Sequence, residues 1–180
     1  MSELLQLTAG SEVRCTDGRV GHVRGLVFDP QARAVTHLSV EASSVIQNGR
    51  LVPLEAVQSA GSVIELGCTR EDYYGFPPNE DLIVAPSPGN NPTRHVHLVP
   101  QGETDIGKDE DVYAVDGRAG HLIGIAVDQA DHAARKLLVQ VGHFASRRQV
   151  WIPFDAVTAV DAGGVHLQLS KDEVSNSGPL

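Results

Sequence analysis

Residues 17–22 read Asp-Gly-Arg-Val-Gly-His, and residues 116–121 read Asp-Gly-Arg-Ala-Gly-His. Each hexapeptide opens a longer match, DGRVGHVRGLVFD over residues 17–29 and DGRAGHLIGIAVD over residues 116–128. A repeat of this length within one chain means that the same structural unit occurs twice. The sequence therefore predicts two copies of one fold.

The repeated stretch has the pattern of a β-hairpin. Asp-Gly favours a two-residue turn, and apolar segments stand on both sides of it. The apolar alternation changes phase at Gly21 and at Gly120, which predicts a β-bulge at each glycine. For the arginine and histidine of the motif, a solvated turn face is the simpler interpretation, and a contact with a ligand is the alternative.

The remaining strands are expected in the same order in both copies. For the first copy we expect strands over 12–15, 20–28, 34–42, 50–53 and 62–68, with a helical turn over 54–57. For the second copy we expect strands over 112–115, 119–127, 135–141, 149–153 and 164–169, with a helical turn over 154–157. Thr69 and Ser170 each open a capping signature that predicts a short helix.

The predicted fold class is all-β, with two tandem small β-barrels, short helical turns and a proline-rich linker. The predicted domains are residues 8–75 and 109–175, joined by a linker or strap over residues 76–108. Residues 86–92 have the composition of an extended linker, and the leucines of residues 4–7 could cap a barrel end. A unit of about sixty-five residues buries only roughly 60% of its unfolded surface, which favours packing of the two barrels together.

Charge and composition limit the classes of partner and compartment. The formal net charge is −9 and the basic residues are scattered, which argues against direct nucleic-acid binding. The N-terminus has no pattern of a signal peptide, and no apolar run reaches the length of a transmembrane segment. We therefore expect a cytoplasmic protein.

The two cysteines, Cys15 and Cys68, align with Ala114 and Leu169 of the second copy. Because these are apolar strand positions, both cysteines are predicted to be buried and reduced. The first and last strands of a small barrel often lie close together, so the two thiols are expected to be neighbours. Two cysteines without histidines at ligand spacing do not predict a zinc site.

No catalytic residue is assigned, and the chain is predicted not to be an enzyme. The candidate histidines are His22, His95, His97, His121 and His143, and none has the spacing of a known catalytic or metal-binding motif. His95 and His97 could place both rings on one face of a strand, but no third ligand accompanies them. No cofactor or metal is therefore expected.

An interaction surface is predicted at Leu138, Trp151, Tyr73, Tyr74 and Phe76. Strand alternation places Leu138 and Trp151 on the face opposite the core, where large apolar side chains suggest a contact. The other barrel, residues 73–108 or a second subunit of a homodimer could cover Trp151, and Trp151→Ala is expected to cost about 1–3 kcal/mol. The three aromatics Tyr73, Tyr74 and Phe76 are expected to dock on the first barrel.

Both copies resemble the PRC-barrel family. The resemblance rests on DGR-x-G-H, on the apolar strand ending in aspartate, and on (Val/Ile)-Pro-(Leu/Phe)-(Glu/Asp)-Ala-Val at residues 52–57 and 152–157. It implies a compact β-barrel that works through protein contacts rather than catalysis. Members of the family include the cytoplasmic domain of the photosynthetic reaction-centre H subunit and a domain of a ribosome-maturation factor.

Three functions are compatible with the sequence. The first is a non-enzymatic module or scaffold that binds another protein, whose identity the sequence does not disclose. The second is a factor associated with RNA processing or ribosome maturation, against which the acidic charge argues. The third is a sensor of a small ligand or metal that uses the region of His95 and His97.

Overall fold

The computed structural model describes residues 3–44, 48–84 and 93–178, and within residues 80–97 it describes the backbone alone. The chain forms two β-domains, each built on a seven-stranded sheet, with few short helices. A separate two-stranded hairpin lies in the connection between them. The predicted all-β fold class is confirmed.

Sixteen strands are present in the described residues. The first nine are β1 (Leu4–Thr8), β2 (Glu12–Cys15), β3 (Gly18–Asp29), β4 (Ala34–Ala42), β5 (Arg50–Pro53), β6 (Val57–Ser59), β7 (Val63–Leu66), β8 (Glu80–Val84) and β9 (Thr93–His97). The others are β10 (Thr104–Gly107), β11 (Asp111–Ala114), β12 (Gly117–Asp128), β13 (Ala134–Val141), β14 (Arg148–Pro153), β15 (Val157–Asp161) and β16 (Gly164–Leu167). The short strands β6 and β15 had not been predicted.

Within the described ranges, helical structure is limited to five short segments. The α-helices are α1 (Arg70–Tyr74) and α2 (Lys171–Ser175), and 3₁₀ turns cover Leu54–Ala56, Phe144–Ser146 and Phe154–Ala156. Thr69 and Ser170 cap the two α-helices, and each forms a reciprocal capping box with an acidic residue three positions later. Both predicted helix starts are confirmed.

The two sheets have the same strand order. One runs β5-β4-β3-β2-β7-β6 and the other β14-β13-β12-β11-β16-β15. Pro53 pairs with His37 of β4, and Pro153 pairs with the equivalent Lys136 of β13. The prediction that the two copies share one fold is confirmed at the level of strand order and register.

The hairpin at the repeated motif differs from the prediction by one residue. Cys15 pairs with Gly18, so the two connecting residues are Thr16 and Asp17 rather than Asp17 and Gly18. Gly18 instead begins β3 with φ +146°, a conformation that L side chains rarely adopt. The predicted bulge is present in both copies, because the register shifts beside Gly21 and beside Gly120.

The strand that precedes each copy is exchanged between the two sheets. β1 pairs antiparallel with β12 of the second copy, and β10 pairs antiparallel with β3 of the first copy. On one edge of β3, β2 pairs with the first half of the strand and β10 with the second half. Residues 4–7 therefore form a strand of the second sheet and do not cap the first barrel.

The third glycine of the repeat makes this exchange possible. A Cβ atom at Gly25 would lie 2.8 Å from the Ile106 carbonyl oxygen of β10, and one at Gly124 would lie 2.4 Å from the Leu7 carbonyl oxygen of β1. Both distances are shorter than a side chain tolerates at this point. The exchanged strands can therefore approach only a glycine.

A second contact joins the two copies at their β3–β4 and β12–β13 turns. The Val35 N–H donates to the His132 carbonyl at 3.1 Å, and the Ala134 N–H donates to the Arg33 carbonyl at 3.0 Å. The Arg33 guanidinium also donates to the Phe154 carbonyl at 3.0 Å and lies 4.9 Å from the centre of its ring. Equivalent backbone hydrogen bonds, one donated by each copy, thus hold the two domains together.

One hydrophobic core runs through both domains. Phe28 and Phe154, from different copies, lie 5.5 Å apart between ring centroids. The exchanged strands contribute Leu5, Leu7 and Ile106 to the same buried cluster. The expected joint packing of the barrels is therefore present.

The region predicted as a linker contains regular structure. β8 and β9 pair as an antiparallel hairpin, and β10 belongs to the first sheet. Before the hairpin, the Pro77 carbonyl accepts from the Leu51 N–H at 2.8 Å, on the edge of β5. The extended linker predicted over residues 86–92 lies outside the described residues.

β4, the third strand of the first copy, departs from strict alternation. Thr36 forms a bulge, since Val27 pairs with His37 and Phe28 pairs with Val35. The bulge turns Val35 into the core together with Leu38 and Val40, whereas strict alternation along the strand would place Val35 on the other face.

Among the described residues, no helix has the length and apolar character needed to cross a bilayer.

Two leucines of β1 test the importance of the exchanged strand. Leu7 is completely buried, whereas Leu4 is 41% exposed. Leu7→Ala is expected to lower the free energy of unfolding by about 2–5 kcal/mol, because the cavity would open in the joint core. Leu4→Ala should change it by about 1 kcal/mol or less. Urea denaturation of both variants provides the measurement, and equal losses would contradict the described role of β1.

Candidate functional site

The aspartate of the repeated motif has a structural contact in both copies. A side-chain oxygen of Asp17 accepts from the Arg70 backbone N–H at 2.8 Å, and Asp116 accepts from the Lys171 backbone N–H at 2.8 Å. Each aspartate therefore ties the motif's turn to the first residue of a short helix, where backbone N–H groups lack partners within the helix. The identity of this residue in the two copies follows from the fold.

The central glycine of the motif is also fixed by packing. A Cβ atom at Gly21 would lie 1.9 Å from the Glu41 carbonyl oxygen, and one at Gly120 would lie 2.2 Å from the Gln140 carbonyl oxygen. These glycines let the bulged strand approach its neighbour closely. They need no ligand to explain them.

We expect Gly21→Ala and Gly120→Ala to lower the free energy of unfolding by about 1–3 kcal/mol each, because the neighbouring strand must move. Gly61→Ala is the matched control, since a Cβ atom there would have no neighbour within 4 Å. The control should stay within about 0.5 kcal/mol of the parent chain in urea denaturation. A loss in the control equal to that at Gly21 would show that strand approach is not the cause.

The arginine and histidine of the motif contact each other in both copies. Nη2 of Arg19 lies 2.8 Å from Nε2 of His22, and Nη2 of Arg118 lies 2.8 Å from Nε2 of His121. Since a guanidinium only donates, Nε2 of the histidine is the acceptor in this contact. In the second copy Nδ1 of His121 then donates to the Asp109 carbonyl at 3.2 Å.

In each copy the arginine of the motif also contacts an acidic residue of the preceding strand. Nε of Arg118 lies 2.6 Å from a carboxylate oxygen of Asp111, and Nε of Arg19 lies 3.6 Å from one of Glu12. These groups are substantially exposed, and exposed ion pairs contribute little stability. Their effect is to hold the arginine and histidine in a fixed orientation on the surface of the sheet.

In the second copy this oriented pair forms one wall of a surface cavity of about 560 Å³. The opposite wall is the loop between β13 and β14, where residues 142–147 read Gly-His-Phe-Ala-Ser-Arg. The lining residues are Asp109, Arg118, Ala119, Gly120, His121, Gln140, Gly142, His143, Phe144 and Arg147. Basic, polar and aromatic groups thus converge on one concave surface of an acidic protein.

Phe144 is the most exposed large apolar side chain among the described residues, at 92%. Its backbone φ of +24° is unusual for a bulky residue, and such conformations persist only where the surrounding structure enforces them. The guanidinium of Arg147 lies 5.6 Å from the centre of the Phe144 ring. An exposed aromatic beside a cation is a typical feature of a binding surface.

The loop that carries Phe144 is internally constrained. The Ser146 N–H donates to the His143 carbonyl at 2.8 Å, and its hydroxyl donates to the same oxygen at 3.1 Å. Gly142 has φ +92°, and a Cβ atom there would lie 2.3 Å from the Ser146 carbonyl oxygen. The sequence Gly-x-x-x-Ser thus closes a tight turn that directs Phe144 outwards.

The predicted interaction residues do not form one surface. Tyr73 is completely buried, with Tyr74 and Phe76 packed partly buried against the core, because α1 packs beside β5. Leu138 is only 7% exposed and is buried on the strand face opposite the core cluster. The expected docking of Tyr73, Tyr74 and Phe76 on the first domain is therefore present. Because Tyr73 and Leu138 are buried within the chain, they expose almost no surface to an external partner here, and a role of the other residues in such a contact stays a prediction.

Trp151 occupies the strand face that the alternation predicted. Val150 and Ile152 belong to the core cluster, whereas Trp151 does not and is half-buried. Its backbone N–H donates to the Gly178 carbonyl at 3.0 Å, so the segment after α2 runs along the edge of β14. The equivalent contact in the first copy joins Leu51 to Pro77. Coverage of the ring by a second subunit stays a prediction.

The two cysteines are neighbours in the first domain, where their thiol groups interact. Cys15 is buried as predicted, but Cys68 is only partly buried because it follows β7 in the connection to α1. Burial, reinforced by Cys68, raises the pKa of the Cys15 thiol to about 12. Burial also raises the pKa of Cys68. Both thiols are therefore in the protonated form near neutral pH.

These pKa shifts predict slow alkylation by iodoacetamide in the native protein, with Cys68 reacting before Cys15. Since the thiolate is the reactive form, the rate at Cys15 should keep rising with pH through 9 and level off only near 12. Mass spectrometry of the single variants Cys15→Ala and Cys68→Leu, which copy the residues of the second domain, separates the two rates. Fast labelling of Cys15 at neutral pH would contradict its burial.

The described residues contain no group of three or more histidine, cysteine or acidic side chains placed to hold a metal ion. His95 and His97 lie on β9, and His97 pairs with Glu80 of β8. The side chains of both histidines lie outside the described part of the chain. The metal-sensor hypothesis therefore has no structural support or test at these residues.

Sequence reasoning missed the loop of residues 142–147, although a signal was present. The first copy has Ser-Ser-Val-Ile-Gln-Asn-Gly over residues 43–49, without aromatic or basic residues, whereas the second copy has His143, Phe144, Arg147 and Arg148. Residues 45–47 lie outside the described structure. The divergence of the two copies at this loop, within an otherwise matched repeat, points to the site.

Comparison of the chain with known protein families and with curated proteins found no match. The functional interpretation of the cavity therefore depends on its own geometry.

Proposed function

We propose that the chain is a non-enzymatic protein-interaction module built from two PRC-barrel-like domains. Support for the family comes from the repeated DGR-x-G-H motif and from residues 52–57 and 152–157, which form a strand end and a 3₁₀ turn in each copy. The motif's aspartate and glycines have structural contacts that explain them without catalysis. The partner-binding surface that we assign is formed by Arg118, His121, His143, Phe144 and Arg147.

The observation that carries this proposal is the exposure of Phe144. A phenylalanine in solvent at 92% exposure leaves most of its apolar area available for burial in a complex. Aromatic and arginine side chains are enriched among the residues that dominate binding energy at interfaces. Because the loop is fixed by the Ser146 hydrogen bonds and the Gly142 turn, little conformational entropy would be lost on binding.

Association with RNA is the second candidate function. An aromatic ring next to a guanidinium is also the arrangement that stacks a base and contacts a phosphate. The net charge of −9 opposes this candidate, because RNA binding depends on several Lys and Arg contacts with phosphates. A filter-binding assay at low salt tests it directly, and retention that falls with salt and with Arg147→Gln would favour it.

For the protein-binding function, we expect Phe144→Ala to weaken capture of the partner by at least about tenfold, as for a dominant interface aromatic. The measurement is affinity capture from the native cell with the full chain as bait, quantified by mass spectrometry. Leu4→Ala is the control, since Leu4 is another exposed apolar residue and lies at the opposite end of β12 from His121.

The thermal unfolding of Phe144→Ala should match that of the parent chain, because the ring makes few contacts within the protein. A set of captured proteins that is identical for the parent chain and both variants would contradict the assignment of this surface.

A further inference from the structure

The two arginines near Phe144 differ in their contacts with other charged groups. The guanidinium of Arg118 is engaged by Asp111 and His121. Within the described part of the chain, no carboxylate lies within ion-pair distance of Arg147, and its guanidinium faces the Phe144 ring. The loop therefore presents an available cation next to an available aromatic ring.

We propose that this cavity binds a carboxylate side chain of an acidic peptide segment, with an apolar side chain of that segment packed on Phe144. This inference rests on the proposed protein-binding function and names the class of its partner. The planar guanidinium of Arg147 matches the two oxygens of a carboxylate. Arg118 and the His143 ring lie on the same concave surface as further donors.

The composition of the cavity favours a peptide over a nucleic acid. A polyanion gains affinity by contacting many basic residues, whereas this lining has two arginines and also an acidic residue, Asp109. The negative charge of the whole protein repels a ligand in proportion to the charge that the ligand carries. A segment with a few carboxylates can pair with Arg147 and meets little repulsion from the net negative charge of the protein, whereas a long RNA is repelled strongly.

The cavity also has a suitable size for such a segment. Its volume of about 560 Å³ is within the range of pockets that hold a few side chains. Phe144 stands at its rim rather than inside it, since the ring is almost fully exposed. A carboxylate inside the cavity and an apolar neighbour on the ring would therefore occupy adjacent positions of one peptide.

The test uses a fluorescein-labelled peptide of Glu-Glu-Leu repeats, and fluorescence anisotropy with the full-length chain. A peptide of Gln-Gln-Leu repeats is the uncharged control. We expect the glutamate peptide to bind and the glutamine peptide not to bind, with an affinity that decreases as salt is added. Arg147→Gln should weaken binding by about tenfold, as for loss of a charged hydrogen bond.

Lys136→Gln is the matched charge control. It removes the same charge from an exposed residue of β13, four residues from Gln140, or roughly 13 Å at about 3.3 Å per residue. Binding by Lys136→Gln should equal that of the parent chain. Equal losses in Arg147→Gln and Lys136→Gln would overturn the proposal, because the attraction would then come from overall charge.

Other outcomes separate this inference from the proposed function. Equal affinity for the two peptides, or displacement of the glutamate peptide by lower concentrations of oligouridylate, would overturn the acidic-peptide assignment. If partner capture then still depends on Phe144 and not on Arg147, the protein-binding function stands and its partner is not acidic. If capture depends on neither residue, the contact surface itself has been misassigned.

Discussion

The reciprocal pairing of β1 with β12 and of β10 with β3 is the constraint on which the rest of the structure depends. Without these strands, half of one edge of β3 and of β12 would expose unpaired backbone groups, and the core would lose Leu7 and Ile106. Gly25 and Gly124 permit the close approach, because any Cβ atom there would overlap the incoming strand. Two repeats that would each be marginal alone thereby share one core.

Contacts within each domain and with the exchanged strand explain why so much of the repeated motif is identical in the two copies. Its aspartate binds a helix start, its second glycine admits the neighbouring strand, and its third glycine admits the exchanged strand. Because these contacts are the same in both domains, both domains need the same residues at these positions. The aspartate and both glycines therefore belong to the framework, and a function specific to one copy is to be sought where segments that differ between the copies adjoin the motif.

Much of the framework could be predicted from the sequence because it is encoded locally. Bulges at Gly21 and Gly120 and the caps at Thr69 and Ser170 each depend on a few adjacent residues. The partner of β1 could not be predicted, since the alternation in residues 4–8 indicates a strand but does not say which edge it joins. The cavity beside Phe144 could not be predicted from strand alternation, because Phe144 lies in a loop, whereas Leu138 on the strand face is buried.

The β4–β5 and β13–β14 loops show how a duplicated fold can vary in one loop while its sheet stays the same. Both loops connect equivalent strands, and His37–Pro53 and Lys136–Pro153 pairing fixes the strands in the same register. A change within the loop therefore leaves the sheet intact. In the second copy this loop carries Phe144, which is exposed and has a strained backbone, and Arg147, whose guanidinium faces the Phe144 ring. The oriented Arg118–His121 pair forms the opposite wall of the cavity. The structural motif thus also forms one wall of the cavity, because the adjacent loop, and not the motif, differs between the copies.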